Sequence, residues 1–351
     1  MDVPEYPLPA GAIAQAPAEP RDAARLLVAL GGTVAHRRVH DLPDLVGPGD
    51  VVVVNTSRVL AARLRLTKAT GGAAEVLLLE PDAGPDPDET STWTALVRPG
   101  RRLAPGTVLL GGTRPLVEVG ERLDAGRRRV RLLVPAALLD EVGTVPLPPY
   151  IRRALPDPER YQTVYADRPG SVAAPTAGLH LTEDVLDRCR QAGATVEALD
   201  LAVGLGTFRP VSEDRVEDHN MHGERYSVPA ATMAACRGAR RVIAVGTTTV
   251  RALESAAASG RLEGRTELFI HGDFPFSVVD VLLTNFHQPR STLLLLLESF
   301  CGPRWRALYE VALESGYRFL SFGDAMLVER AGGGAEAAGA SGLAPPRRET
   351  R

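Results

Sequence analysis

The chain is poor in cysteine, in lysine and in long apolar runs, and each scarcity excludes something. Its three cysteines, Cys189, Cys236 and Cys301, are scattered through helical-looking apolar stretches. Their spacing fits neither a disulfide framework nor a zinc site, so reduced core thiols of a cytoplasmic protein are expected. The longest strongly apolar run, near Leu293, is far too short to span a bilayer. The first residues, Met1 to Pro7, carry no basic start and no apolar stretch, so no secretory leader is expected. Lys68 is the only lysine, and arginine supplies nearly all the positive charge. That bias reads as genomic base composition. The net charge of −3 does not announce a nucleic-acid binder. Arginines nonetheless cluster at Arg98, Arg101 and Arg102, at Arg127 to Arg129 with Arg131, and at Arg152 with Arg153. A local basic face is compatible with an acidic total.

At 351 residues, 44% hydrophobic and 24% charged, the chain is long enough for two domains or one elaborated domain. A proline-punctuated start leads into a predicted helix from Pro20 through Val28. Val51 to Asn55 is a continuous β-branched run, the pattern of a strand buried on both faces. From 65 to 149 the character changes to short strand-like pieces: Ala74 to Leu79, Trp93 to Val97, Thr107 to Leu110, Leu116 to Val119 and Arg129 to Val134. Turns rich in Gly, Pro and Asp separate them, the rhythm of a small β-barrel or sandwich. The stiff Pro146 to Tyr150 stretch closes that segment. Beyond it, strands at 195–203, 241–245 and 278–284 alternate with helices after Thr182, an N-cap, and over 249–258. The expected fold class is α/β: a discontinuous α/β domain from 1–64 and 150–330, with a small β-barrel inserted over 65–149. Residues 331–351 are low in complexity and expected to be disordered.

The densest polar passage runs from Thr284 through Asn285, Phe286, His287, Gln288 and Arg290 to Ser291 and Thr292, between apolar segments. Buried polar groups need partners, so this passage reads as a site on a rigid element. A plain turn, with Ser291 or Thr292 capping a helix, is the alternative. His219, His222 and Glu224 form a second cluster, read as two histidines three apart on one helix face. An acid–base role is preferred there over a metal, because no third ligand cluster has metal spacing. Gly204, Gly206 and Thr207 follow one strand, and Gly246, Thr247, Thr248 and Arg251 follow another. A glycine turn at a helix N-terminus is able to hold a carboxylate or serve only as a tight connection. Pro175, Thr176, Gly178 and His180 form a small, turn-rich loop that lets a flat ligand approach the backbone. Asn55 and Arg58 sit at the end of the first buried strand, where open α/β sheets place ligands. No nucleophile elbow or catalytic-cysteine pattern occurs, so covalent acyl transfer has no support.

Taken in order, these stretches resemble the S-adenosylmethionine:tRNA ribosyltransferase-isomerases of queuosine biosynthesis. The matching pieces are 145–151, 161–166, 170–180, 204–208, 219–224, 242–248, 284–287 and 317–326, within a likeness running from about residue 3 to 328. The resemblance implies a β-barrel inserted in an α/β domain. It implies transfer of the ribosyl part of S-adenosylmethionine to 7-aminomethyl-7-deazaguanine at the tRNA wobble position. Epoxyqueuosine forms, with adenine and methionine released, and no cofactor beyond that co-substrate is required. His287, His222 and Glu224 are the residues expected to act in catalysis. Asp280 or Glu224 is assigned to a substrate cation, and Arg251 with the Gly246 turn to the methionine carboxylate. Asn55, Arg58, Pro175, Thr176, Gly178, His180, Gly204, Gly206, Thr207, His219, Thr247, Thr248, Thr284, Asn285, Phe286 and Arg290 complete the expected binding set. The partners implied are S-adenosylmethionine and the modified tRNA, with no membrane and a monomeric protein. Departures from the family pattern are Ala202 for a histidine, Thr56 for an aspartate, Gln288 and Arg290 for leucine and lysine, and His271 in place of a proline. These leave two other readings open: a paralogue acting on a small acceptor, and a non-catalytic RNA- or nucleotide-binding relative.

Overall fold

A computed structural model describes residues 3–82, 91–100, 102–204, 216, 221 and 223–332. Of the expected site, Gly206, Thr207, His219 and His222 lie outside the described residues, as does 333–351 of the tail. The strands are β1 (Arg25–Leu30), β2 (Thr33–Arg38), β3 (Asp50–Asn55), β4 (Ser57–Val59), β5 (Arg63–Lys68) and β6 (Ala73–Pro81). There follow β7 (Thr92–Arg98), β8 (Thr107–Gly111), β9 (Arg114–Arg122), β10 (Arg127–Leu132), β11 (Arg168–Ser171) and β12 (Thr195–Leu201). The last are β13 (Glu224–Ser227), β14 (Arg241–Val245), β15 (Glu263–Thr266), β16 (Val281–Asn285) and β17 (Ala325–Glu329). The helices are α1 (Leu139–Val142), α2 (Glu183–Gln191), α3 (Ala230–Gly238), α4 (Thr247–Ser259), α5 (Thr292–Cys301) and α6 (Trp305–Glu314).

Nine strands form one sheet in the order β15-β13-β12-β3-β14-β16-β17-β1-β2. The four at its heart, β12, β3, β14 and β16, are parallel to one another. Every residue of β3 is buried, as expected for a strand covered on both faces. One face packs Val53, Ala244 and Leu282 against α4, α5 and α6. The other packs Val52, Val54, Ile243 and Leu283 against α2 and the 176–180 turn. Both chain ends contribute, since β17 pairs with β1 in parallel.

The predicted helix at 20–28 is instead a single turn, Arg21–Ala23, followed by β1. Leu26 to Ala29 lie between β17 and β2, and burial on both sides overrides the helical propensity of the segment. Thr182 caps its helix as expected, and of Ser291 and Thr292 it is Ser291 that caps α5. Thr182 accepts from the Val185 amide, and Ser291 from the Leu294 amide.

The inserted segment closes into a six-stranded barrel, β10-β7-β6-β5-β8-β9. Its first strand begins at Arg63. In β5, Leu64 and Leu66 point inward while Arg65 and Thr67 point out, the two-residue alternation that fixes register. Closure removes the exposed strand edges of so small a sheet. One charge enters the barrel end. Arg128, 2% exposed, donates from Nη1 and Nη2 to the carbonyls of Gly100, Leu103 and Gly120, which offsets part of the cost of its burial, while Nε has no partner among the described residues. The paired strands β4 and β11 join barrel to sheet.

Candidate functional site

Parallel strands bring their carboxyl ends to one edge, and the chain places its polar motifs there. Asn55 ends β3 and is fully buried. Its amide donates to the Leu201 carbonyl at 3.0 Å and to Thr248 Oγ1 at 3.3 Å. Its oxygen accepts from the Leu201 and Ser57 amides at 3.0 and 3.1 Å. Two donors and two acceptor positions are thereby all used. Asn55 is a staple joining β3, β12 and the first turn of α4, and it holds the edge in place for other residues. Next to it Thr56 donates its hydroxyl to the Leu199 carbonyl.

Beyond β14 the chain turns at Gly246, whose φ of 89° favours glycine, and enters α4 directly. The amides of the first turn of α4 therefore face this edge with the positive end of the helix dipole. One turn on, Arg251 forms a buried ion pair with Glu224, the two side chains 8% and 7% exposed. Glu224 also accepts from the Gly204 amide at 2.7 Å. Arg251 Nε donates to the Leu268 carbonyl, while Nη2 is buried with no partner among the described residues. The expected helix carrying Glu224 is not formed at that position: Glu224 opens strand β13, paired with β15. The pair thus arises from α4 meeting a strand far away in sequence.

At the end of β16, successive side chains go to opposite faces. Thr284 Oγ1 lies 2.9 Å from His287 Nε2 on one side. The His287 backbone is held from both directions, its amide donating to the Tyr309 hydroxyl and its carbonyl accepting from Tyr6. On the other face, Asn285 Nδ2 lies 3.0 Å from His180 Nε2 and also donates to the Leu320 carbonyl. The carbonyl sets the orientation of the amide, so His180 Nε2 is the acceptor and its proton resides on Nδ1. Asn285 Oδ1 is buried without a partner among the described residues. Asn285 and His287 line a small cavity of about 40 Å3 with Tyr150, Thr176 and Ser321.

The 176–180 turn that carries Thr176 and His180 packs over Gly246, with Ala177 Cβ 3.7 Å from where a Gly246 side chain would begin. Gly178 is required there, because a Cβ would lie 2.0 Å from the Tyr165 hydroxyl. Four of the expected residues are not brought to the edge. Asp280 precedes β16 at the opposite end, accepting from the Val242 amide and paired with Arg330. Phe286 belongs to an aromatic cluster with Tyr309, Tyr317 and Phe319. Arg58 faces away and pairs with Glu159. Arg290, at φ 55°, donates its amide to the Pro4 carbonyl. Conversely, sequence reading passed over Glu254, which is 1% exposed and accepts from the Ser277, Val278 and Val279 amides and the Ser277 hydroxyl. It lies three residues after Arg251, and that spacing on one helix was the available signal.

Burial decides the charge of both imidazoles. Desolvation pushes His287 down to about 3. The same cause lowers His180 to about 4, with Asp324 opposing and Arg318 adding. Both rings are neutral at pH 7. The unfolded chain, with histidines near 6.5, binds protons that the folded chain refuses. Stability from these groups is therefore complete above pH 6.5 and is lost as pH falls toward 4 and 3. Each pH unit below 6.5 is expected to cost about 1.4 kcal/mol per histidine. Urea unfolding at pH 7.5, 6 and 5 checks this, and an unchanged midpoint would count against the buried neutral assignment.

Among the described residues no group of three or more metal-ligating side chains occurs, and no helix is long and apolar enough to cross a membrane. The sequence matches a family described as queuosine biosynthesis protein over residues 2–328. An S-adenosylmethionine:tRNA ribosyltransferase-isomerase of Rubrobacter xylanophilus is 50% identical over 330 residues, covering 92% of this chain and 96% of the relative. The protein of the same name from Thermus thermophilus is 50% identical over 346 residues, covering 92% and 98%. A crystal structure of S-adenosylmethionine tRNA ribosyltransferase from Thermotoga maritima is 33% identical with a TM-score of 0.52, covering 92% of this chain and 99% of that one. Matched over residues 2–328 and half identical to such relatives along most of its length, the chain belongs to the queuosine biosynthesis protein family.

Proposed function

We propose that this chain transfers and isomerises the ribosyl moiety of S-adenosylmethionine onto 7-aminomethyl-7-deazaguanine at the tRNA wobble position. The product is epoxyqueuosine, with release of adenine and methionine. The observation that carries the reading is the convergence of Glu224, Arg251, Asn285, His287 and the α4 N-terminus on one edge, together with the family membership. In this reaction the sulfonium acidifies the 5′ carbon beside it, and a base removes a proton there. Adenine departs as the aminomethyl nitrogen bonds to C1′. The ring oxygen then leaves C1′, where the 5′ carbanion bonds to close the cyclopentane, and the freed oxygen at C4′ attacks C5′. Epoxide closure then breaks the carbon–sulfur bond and frees methionine.

The chain's residues divide that work by charge. The unpartnered Nη2 of Arg251 and the first-turn amides of α4 suit the methionine carboxylate. Glu224, the carboxylate at this edge, suits a substrate cation; Asp280 does not, being at the far end of β16. Asn285 Oδ1 offers an acceptor to an amine or nucleobase edge. His287 is kept neutral by burial, and its work as a proton acceptor requires a negative charge of the bound substrate to raise its proton affinity. His222 remains the second candidate for proton transfer. The side chains of Glu224, Arg251, Asn285 and His287 are all buried, which strengthens each of these interactions.

The deciding experiment measures adenine release from S-adenosylmethionine by the purified protein, with and without tRNA bearing the aminomethyl-deazaguanine. Release that requires the modified tRNA, with a matching mass gain on its nucleoside, is the expected result. Folded protein that binds S-adenosylmethionine yet releases no adenine with that tRNA would point to a different acceptor.

A further inference from the structure

A cleft of about 930 Å3 opens between the barrel and the segment that returns the chain to the sheet. It is larger than the Asn285 cavity and separate from the sheet edge. Six arginines line it, Arg58, Arg63, Arg65, Arg98, Arg152 and Arg153, against the three carboxylates Glu75, Asp140 and Glu159. A chain with a net charge of −3 thus concentrates positive charge in one groove. Of the six, Arg58 is ion-paired, with Glu159, while Glu75 stands across the strands from both Arg65 and Arg98 and offsets part of their charge. The side chains of the other five make no hydrogen bond or ion pair among the described residues, and Arg63 Nε is buried without a partner. Unpaired like charges held across a concave surface repel one another and raise the local potential, a cost that a bound polyanion reverses.

The position of the cleft matters as much as its charge. Arg58 is three residues beyond Asn55. Pro148, Pro149 and Ile151 form one wall of the cleft, while Tyr150 between them lines the cavity of Asn285 and His287 and bonds Ser321. Cleft and cavity are thus neighbours across a single run of chain. Arg65 and Arg98 come from the barrel, and Arg152 and Arg153 from the opposite wall.

We propose that this cleft holds the sugar–phosphate backbone of the RNA substrate, gripped between barrel and linker arginines, so that a base passes the Tyr150 wall toward Asn285 and His287. The inference rests on the reading of the protein as a tRNA-modifying enzyme and names the surface that the RNA uses. Phosphate contacts position a nucleic acid and release counterions, which makes them visible in salt dependence.

The test uses the full chain carrying Arg65→Gln, Arg98→Gln, Arg152→Gln and Arg153→Gln together. Binding of fluorescently labelled tRNA is measured by anisotropy across a salt series, and adenine release is measured in parallel. The slope of log affinity against log salt is expected to flatten by about 3, since each lost phosphate contact removes roughly 0.7–0.9. The KM for tRNA rises at least tenfold, while turnover at saturating tRNA and the KM for S-adenosylmethionine stay near those of the unsubstituted protein. Four Arg→Lys substitutions at the same positions keep the slope. An unsubstituted slope in a folded Gln variant overturns the proposal while leaving the proposed reaction intact. Binding through the cleft without adenine release by the parent protein would instead overturn the reaction. Should the fourfold variant not fold, Arg152→Gln with Arg153→Gln, both exposed on the linker, is expected to flatten the slope by about 1.5, and an unchanged slope there also overturns the proposal.

Discussion

Arg251→Met is expected to cost about 3–5 kcal/mol of folding stability and to abolish adenine release. The reason is local and electrostatic. Glu224 is 7% exposed and receives one bond from the Gly204 amide and one from Arg251. Without the guanidinium it is left buried with a single donor among the described residues. The Leu268 carbonyl loses its donor at the same time. Replacing both members of such a pair by apolar residues removes the stranded charge as well as the attraction, and is often close to neutral for stability. Glu224→Met combined with Arg251→Met is therefore expected to recover most of the lost stability. It is not expected to recover activity, because the unpartnered Nη2 is gone along with the carboxylate. Urea unfolding and adenine release measured on the three variants separate the two roles. A double variant that is both stable and active would show that the pair is architectural only.

His287→Ala is the second large effect. Loss of a group that moves a proton in the transition state lowers turnover by about 10²- to 10⁴-fold. His287 is positioned for such a role with unusual care for a residue beyond the end of a strand. Its ring meets Thr284, and its backbone is held between the hydroxyls of Tyr6 and Tyr309. Those three partners fix the ring beside Asn285 at the cavity wall. The KM for S-adenosylmethionine is expected to move much less than kcat. Because burial holds the ring down to about 3, it does not titrate between pH 5 and 8. Any inflection of the pH–rate profile near 6.5 then belongs to another group, and it should persist in the variant's residual activity. Turnover equal to that of the parent protein would remove His287 from the catalytic list and leave His222 as the candidate.

The sequence by itself determined the pieces whose signal is local. Short strand-like pieces from Ala74 to Val134, set apart by Gly, Pro and Asp turns, specify a small β-barrel or sandwich, while the strand at Arg63–Lys68 and the closure into a barrel appear only in the fold. The unbroken Val51 to Asn55 run specifies a strand buried on both faces. Thr182, and Ser291 or Thr292, announce helix starts, and the fold selects Ser291, which like Thr182 accepts from the amide three residues on. The ordered motifs identify the family, and with it the reaction class.

Only the tertiary structure decided which motif residues meet. Leu26 to Ala29 became a strand rather than a helix because β17, some three hundred residues away, supplies its partner. Asp280 and Asn285 stand five positions apart on one apolar run, yet the strand between them sends one to each end of the sheet. Asn55 looked like a ligand contact and proved to have every hydrogen-bonding position filled by its own chain. Glu224 and Arg251, weak signals when read separately, became a buried ion pair. Propensity and periodicity act over a few residues, whereas burial and charge pairing depend on which distant segments are brought together. That is why the elements could be read from the sequence, while the arrangement of the site required the fold.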